Sequence, residues 1–171
     1  FASDPVQRKY RLDSWKGLST LREQGLIRNL GVSNFNIEHM KEISALHLAP
    51  IAANQVQFHP WLPDWMKEIA KYCHDNNIVI TGYFSLGGHD HKDKALGLEA
   101  LNEIAKAHGR RPAQILLRWS LQKKVAVIPG TGNHKHMDDN LGTYGLSLSD
   151  EEMARLDGMG TLPISQDFLF F

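Results

Sequence analysis

Helical and strand patterns alternate along this chain, and this alternation is the feature that most restricts its fold. Short apolar runs begin near residues 26, 51, 78 and 125, and a helical pattern follows each of them. Two strands joined through a helix can lie parallel in one sheet, because the helix returns the chain to the end of the sheet at which the first strand began. The sequence therefore predicts an α/β fold with about four parallel strands and helices between them.

Residue patterns set the limits of the predicted elements. The predicted strands cover residues 26–32, 51–58, 78–84 and 125–128, and the predicted helices cover 13–24, 36–47, 63–76, 96–107, 112–122, 134–141 and 149–156. Gly25 suits a helix end and Asn36 a helix start. Ser149 followed by Glu152 predicts a capping box. The polar stretch 87–94 is predicted to be an exposed loop.

Length and charge exclude several classes of protein. The chain has 171 residues with 19 basic and 19 acidic side chains, so its formal net charge is zero. A neutral chain lacks the positive field that nucleic acids and anionic membranes attract. No apolar run reaches the roughly 18 residues of a membrane span, and no signal-peptide pattern is present. We expect one soluble domain over residues 1–171, in the cytoplasm or an organelle interior.

Two smaller features bear on partners and on redox chemistry. Cys73 is the only cysteine, so an internal disulfide is excluded, and its helical setting predicts an inert core thiol. Residues 161–171 form an apolar tail. Its last four residues are Phe168, Leu169, Phe170 and Phe171. Such a tail must pack against this chain or against a partner.

Amide and hydroxyl side chains gather where the predicted strands end, which is where parallel folds place their functional residues. These junctions cover residues 33–34, 55–59, 83–88 and 130–133. Amides and hydroxyls suit a flat polar ligand, and Tyr83 offers a ring for stacking. From these features alone, helix capping is the favoured interpretation of the same residues, since Asn and Ser at helix starts usually only cap them. Gly87-Gly88 could bring backbone N–H groups close to a phosphate, but a plain turn is the more common structure of such a pair.

The histidines do not predict a metal site. Two local clusters are present, His89-Asp90-His91 and His134-Lys135-His136, and neither has a second ligand pair at a known spacing. Alternate residues in a loop need not converge on one ion. Motifs of serine hydrolases and cysteine proteases are also missing. We therefore expect no bound metal and no nucleophilic enzyme of these kinds.

Four segments at the strand ends resemble the aldo-keto reductase family, in the family's own order. They are residues 28–35 (RNLGVSNF), 54–62 (NQVQFHPWL), 78–87 (IVITGYFSLG), and 127–131 (VIPGT) with Asp139-Asn140. The likeness covers about residues 13–160. It implies a (β/α) barrel of the TIM type that binds NADP(H), of which this chain matches strands 5–8. Since a full barrel needs about 250 residues, we expect an incomplete half barrel that lacks the N-terminal half.

The resemblance also implies the parts of the cofactor that nine residues would contact. From the nicotinamide to the adenine these are Ser33, Asn34 and Gln55 for the carboxamide, Tyr83 for stacking on the ring, Leu86 and Gly88 for the pyrophosphate loop, Thr131 for the 2′-phosphate, and Asp139 and Asn140 for the adenine. Departures from the family pattern lie at the phosphate end. Gly130 stands where the family often has Lys or Arg, and His136 where it commonly has Arg. We therefore expect NADP(H) binding to be weak or lost.

No residue of the chain matches the family's catalytic tetrad of Asp, Tyr, Lys and His, which the first four barrel strands supply. Tyr10 is predicted to lie in a linker, and Tyr83 matches the stacking position. The sequence therefore favours a non-catalytic accessory or structural subunit, bound to other chains through open sheet edges and the Phe168–Phe171 tail. The alternative is the C-terminal part of a working NADPH-dependent aldehyde or ketone reductase, which the missing initiator methionine favours.

Overall fold

Helices and strands alternate along the described chain as predicted. The structure is a computed structural model that describes residues 4–160, with all side chains in that range except those of residues 89–91. The strands are β1 Leu30–Ser33, β2 Ile51–Gln57, β3 Val79–Tyr83 and β4 Val125–Val127. The α-helices are α1 Pro5–Glu23, α2 Ile37–Ser44, α3 Asp64–Asp75, α4 Gly88–Leu96, α5 Glu99–Ala107, α6 Pro112–Gln122, α7 His134–Leu141 and α8 Asp150–Asp157, and a 3₁₀ turn covers Gly142–Gly145.

The strands form one sheet in the order β1-β2-β3-β4, which is also their order in the chain. β1 and β2 are parallel, with Ser33 opposite Gln55 and an irregularity in the register after Leu30. The predicted α/β fold with a four-stranded parallel sheet is therefore confirmed. Within residues 4–160, no helix has both the length and the apolar character that crossing a bilayer requires.

The first helix is longer than predicted, and the first strand is shorter. α1 starts at Pro5, since the Asp4 side chain accepts a hydrogen bond from the Val6 N–H and proline suits a first turn. Tyr10 therefore lies inside α1, and its prediction as a linker residue is wrong. Gly25 ends the helix with a φ of +76° as predicted. Leu26 belongs to this C-terminal turn and is 72% exposed.

The polar stretch 87–94 was predicted to be a loop, and this prediction is wrong. Most of it lies in α4, which covers Gly88–Leu96 between the capping residues Gly87 and Gly97. Its charged residues favour solvent, but they also have adequate helix propensity, and Ala95 at its end is fully buried. The predicted helix 96–107 is correspondingly divided, because α5 begins only at Glu99.

The chain divides into two compact units, each with its own buried side chains. The first unit contains the described residues 4–56 and 65–80. Trp15 anchors α1 in this unit, where its indole N–H donates to the Ala49 carbonyl oxygen at 3.1 Å. The other buried apolar side chains of the unit include Leu30, Met40, Ile43, Ile51, Met66, Ile69, Cys73 and Ile80.

The second unit contains the described residues 57–64 and 81–160. α6 is its central helix, and it contacts α5, α7, β4 and the 3₁₀ turn. Phe58 stacks on Trp119 of α6 with ring centroids 5.1 Å apart. Gln114 is 4% exposed although it is polar, and its hydrogen bonds link α6 to α7. The N-terminus of α6 is therefore fixed relative to α7, and these two helix ends flank the cavity described below.

Candidate functional site

In the first unit, the three residues predicted to contact the carboxamide lie together at the end of β1. The Ser33 hydroxyl donates to the Gln55 carbonyl oxygen at 3.1 Å. The Asn34 N–H donates to the same oxygen at 2.8 Å. The Ser33 and Gln55 residues are exposed. The structure therefore brings these three residues into one hydrogen-bonded group with amide and hydroxyl functions near solvent.

A buried amide that the sequence did not single out holds this group. Asn54 is 0% exposed, and its Nδ2 donates to the Phe35 carbonyl oxygen at 2.9 Å. Its Oδ1 accepts from the Phe35 N–H at 3.5 Å. Asn34 just before has a φ of +57°, a left-handed conformation that asparagine tolerates better than most residues. Asn54 thus fixes the backbone that carries Ser33 and Asn34.

In the second unit, a tight turn follows Tyr83 at the end of β3. The Tyr83 and Phe84 rings meet edge to face at 5.0 Å. The Gly87 N–H donates to the Phe84 carbonyl oxygen at 2.8 Å, and both Gly87 and Gly88 have positive φ. A Cβ on Gly88 would lie 3.3 Å from the Phe84 ring. Glycine is therefore favoured at position 88 by backbone conformation and by space.

A cavity of about 240 Å³ gathers four of the six residues predicted in this unit. These four are Leu86, Thr131, Asp139 and Asn140, whereas Tyr83 and Gly88 are not among its lining residues. Leu96, Pro112, Ala113 and Pro129 give it apolar walls. The volume is below the 300–1,000 Å³ of typical small-molecule sites. The cavity therefore suits one part of a dinucleotide and not the whole.

Three basic side chains line the same cavity, namely Lys92, Arg111 and His136. The Arg111 Nη1 donates to Asp139 Oδ2 at 2.7 Å, and the two side chains are 51% and 28% exposed. Thr131 lies near the start of α7, where its hydroxyl oxygen accepts from the Asn133 N–H at 3.1 Å. The cavity thus combines cations, a hydroxyl and a carboxylate beside apolar walls.

Gln114 holds the backbone on both sides of the Arg111–Asp139 pair. Its Nε2 donates to the Asp139 carbonyl oxygen at 2.6 Å, and its Oε1 accepts from the Arg111 N–H at 3.0 Å. Neither bond uses the side chain of Arg111 or Asp139. The positions of both residues are therefore set independently of their ion pair.

Sequence reasoning missed Lys92 and Arg111 as lining residues. Lys92 fell in the stretch predicted to be a loop, and Arg111 lies 28 residues before Asp139 in the chain. Periodicity cannot show that the N-terminus of α6 meets α7. The one signal in the sequence was Gly130, which stands where the family often has a cation. Its lack of charge suggests that a basic residue from another segment lies at this position.

The remaining histidine, cysteine and acidic side chains form no metal site in the described part of the chain. No three His, Cys, Asp or Glu side chains gather closely enough there to hold a metal ion. His134 and His136 are exposed on α7, and the side chains of residues 89–91 lie outside the described set. Burial raises the pKa of the Cys73 thiol to about 11, which disfavours the nucleophilic thiolate.

Comparison with known proteins identifies the family. The sequence matches the profile of the Aldo/keto reductase family over residues 2–160, and the chain belongs to this family. It is 36% identical over 153 residues to aldo-keto reductase family 1 member A1 of Mus musculus, covering 86% of this chain and 46% of the mouse protein. The chain spans about half the length of the curated relatives it matches.

Solved structures agree with this assignment. MGS-M4, an aldo-keto reductase enzyme from a Medee basin deep-sea metagenome library, has a TM-score of 0.86 and 28% identity, with 94% of this chain and 59% of that chain covered. A mutant of Gox0644 in complex with NADPH has a TM-score of 0.78 and 31% identity, covering 92% of this chain and 54% of that chain. Relatives of this chain therefore include a protein that binds NADPH.

Proposed function

We propose that this chain is the cofactor-binding part of an NADP(H)-dependent aldo-keto reductase. The observation that carries the proposal is the cavity of the second unit, which places Thr131, Asp139 and Asn140 beside basic side chains. The resemblance assigns these three residues to the adenosine end of NADP(H). The sequence left two hypotheses, a non-catalytic accessory subunit and the C-terminal part of a working reductase. The cavity supports the second, because it offers groups that suit a cofactor.

The side chains of the cavity fit an adenosine that carries a 2′-phosphate. Apolar walls suit the flat face of an adenine, and the Asn140 amide suits its polar edge. Arg111 and Lys92 supply the positive charge that the family places at the positions of Gly130 and His136. The sequence alone predicted weak or lost binding because both of those family cations are missing. With Arg111 and Lys92 in the cavity, we now expect NADPH to bind with a dissociation constant in the low micromolar range.

The first unit carries a separate group of residues that the resemblance assigns to the nicotinamide carboxamide. Ser33, Asn34 and Gln55 offer hydroxyl and amide groups to a carboxamide, and Asn54 keeps their backbone in place. NADPH, when bound, supplies a hydride to a carbonyl substrate. A proton donor must stand beside the carbonyl oxygen for that transfer. Since no residue of this chain matches the tetrad, we propose that residues 1–171 alone reduce no aldehyde or ketone.

Calorimetric titration of the 171-residue chain with NADPH tests this proposal. Asn140→Ala removes an amide at the adenine end and should weaken binding by about three- to tenfold, the worth of a neutral hydrogen bond. Asn76→Ala is the matched control, because the exposed Asn76 follows α3 and its side chain donates to the Tyr72 carbonyl oxygen of that helix. Failure of the unmodified chain to bind NADPH would favour the accessory subunit. NADPH oxidation above background with a panel of aldehydes would contradict the proposal that residues 1–171 alone reduce no aldehyde or ketone.

We further propose that other protein segments pair with this chain at β1 and β4. Each of these strands is at one end of the sheet order and has one neighbouring strand among the described residues. Edge strands leave N–H and C=O groups unpaired, so they favour pairing with a further strand. A stable interface of this kind buries about 800 Å² per partner. The apolar tail Phe168–Phe171, which lies outside the described residues, is the second proposed contact.

Sedimentation of the purified chain, with and without residues 167–171, tests the partner proposal. We expect self-association or a broad thermal transition in the isolated chain, because β1 and β4 each have one neighbouring strand among the described residues. Loss of the tail should reduce the association. A well-folded monomer with a sharp transition that is unchanged by the deletion would contradict the proposal.

A further inference from the structure

A buried thioether in the first unit accepts hydrogen bonds from two different elements. Met40 lies in α2 and is 0% exposed. The Asn54 Nδ2 donates to the Met40 Sδ at 3.6 Å, and the Cys73 thiol donates to the same sulfur at 3.7 Å. Methionine side chains are flexible and adapt to irregular gaps in a core. Two donors on one sulfur therefore restrict a side chain that is otherwise free to change its conformation.

The Asn54 amide is held from two sides by the start of α2 and the turn before it. Its Nδ2 has two hydrogens and two acceptors, namely the Phe35 carbonyl oxygen at 2.9 Å and the Met40 sulfur. Phe35 and Met40 belong to one short segment of the chain. Between them the Asn36 side chain caps α2 by accepting from the His39 N–H at 2.8 Å. The position of this amide therefore depends on Met40 as well as on Phe35.

The same amide determines the backbone that precedes it in the proposed carboxamide group. Phe35 directly follows Asn34, whose φ is +57°. A residue other than glycine keeps such a conformation only where surrounding contacts fix it. Because Asn54 is 0% exposed, bulk water cannot replace the Met40 sulfur as an acceptor. Loss of the sulfur should therefore loosen Asn34 and, with it, Ser33.

We propose that Met40 is a positioning residue for carboxamide recognition. Its sulfur holds the Asn54 amide, and this amide holds the turn that carries Ser33 and Asn34. The inference rests on the proposed function, in which Ser33, Asn34 and Gln55 contact the nicotinamide carboxamide. Since Met40 is completely buried, it acts through Asn54 and not by contact with the cofactor.

Hydrogen exchange of single backbone amides tests the structural step without any ligand. Met40→Leu keeps nearly the same volume but removes the acceptor. The Asn34 N–H donates to the Gln55 carbonyl oxygen at 2.8 Å, and the Phe35 N–H donates to Asn54 Oδ1 at 3.5 Å. Both amides should exchange about three- to tenfold faster in this variant, which corresponds to the loss of one neutral hydrogen bond.

Met66→Leu is the matched control for the loss of a buried thioether. Met66 lies in α3 and is 5% exposed, and its sulfur has no hydrogen bond among the described residues. This control should leave the exchange of the Asn34 and Phe35 amides unchanged. Circular dichroism of each variant verifies folding. If Met40→Leu does not fold, norleucine in place of methionine removes the sulfur with little change of shape.

Calorimetric titration of the 171-residue chain with NADP⁺ and with its 3-acetylpyridine analogue tests the functional step. The analogue has a methyl group in place of the carboxamide NH₂, so the ratio of the two dissociation constants reports recognition of that group alone. The unmodified chain should bind NADP⁺ about fivefold more tightly than the analogue. Met40→Leu should reduce this ratio to less than about twofold, whereas Met66→Leu should keep it. A general loss of stability weakens both ligands equally and leaves the ratio unchanged.

A double substitution determines whether Met40 acts through Asn54. Asn54→Ala should reduce the ratio as Met40→Leu does, and adding Met40→Leu to Asn54→Ala should change it no further. Failure of the unmodified chain to bind NADP⁺ would overturn the proposed function, while the exchange rates would still decide whether the sulfur holds the turn. NADP⁺ binding with a ratio and exchange rates that Met40→Leu leaves equal to those of Met66→Leu would overturn this inference alone.

Discussion

Replacing Asn54 with alanine should destabilise the first unit through one backbone segment. The substitution removes the Nδ2 bond to the Phe35 carbonyl oxygen at 2.9 Å and the longer contact with the Phe35 N–H at 3.5 Å. Because Asn54 is fully buried, the space that its amide leaves is closed to bulk water. The Phe35 carbonyl oxygen then loses its amide partner.

The size of the effect follows from these two contacts. A partly buried carbonyl that loses its partner costs about 1–3 kcal/mol, and a contact at 3.5 Å adds little. We expect the free energy of unfolding to fall by about 2 kcal/mol, a roughly 30-fold change in the folded-to-unfolded ratio. With a urea m-value of about 2 kcal/mol/M, the midpoint of unfolding should fall by about 1 M.

Urea unfolding followed by circular dichroism measures this change, with Asn76→Ala as the control for loss of an exposed asparagine. The control should shift the midpoint by less than about 0.25 M. The reasoning would be refuted if Asn54→Ala shifted the midpoint no more than the control does. A change in the m-value instead of the midpoint would also count against it, because it would indicate an altered denatured state.

Three further predictions concern buried groups. Since burial raises the Cys73 pKa to about 11, its reaction with a disulfide reagent at pH 8 should be slow in the folded chain and fast in urea, and equal rates would contradict its burial. Burial lowers the pKa of His39 below 6.5, so the unfolded chain binds more protons and the free energy of unfolding should fall from pH 7 to 5; a profile equal to that of His39→Gln would disprove this. Gly82→Ala places a Cβ 2.9 Å from carbons of Phe58 and Val125, which should cost about 1–3 kcal/mol in thermal unfolding, and an unchanged transition would refute it.

Sequence patterns predicted the helices whose first turns carry capping side chains. Asn36 caps α2 by accepting from the His39 N–H at 2.8 Å, and Ser149 and Glu152 form the predicted capping box. Such signals involve residues within one turn, so they can be read directly from the chain. α4 escaped prediction for the opposite reason, because its N-cap Gly87 has no side chain and its polar residues resemble a loop.

The candidate site was predictable only as far as it resembles known motifs. Thr131, Asp139 and Asn140 could be assigned because they follow one strand in a familiar order. Arg111 could not, since its place beside Asp139 depends on how α6 packs against α7. The same holds for Asn54, whose role comes from its contact with Phe35, 19 residues earlier in the chain. Contacts of this range are set by tertiary packing and not by local spacing.

The two hydrogen bonds of Gln114 have a consequence for the speed of ligand capture. They hold the backbone of Arg111 and Asp139 through a nearly buried amide, whatever the two charged side chains contact. The Arg111 guanidinium is half-exposed, so its rearrangement within the cavity requires only rotation of a side chain, which takes picoseconds to nanoseconds. Association with a phosphorylated nucleotide should accordingly be limited by diffusion and charge steering, with a rate that falls as ionic strength rises.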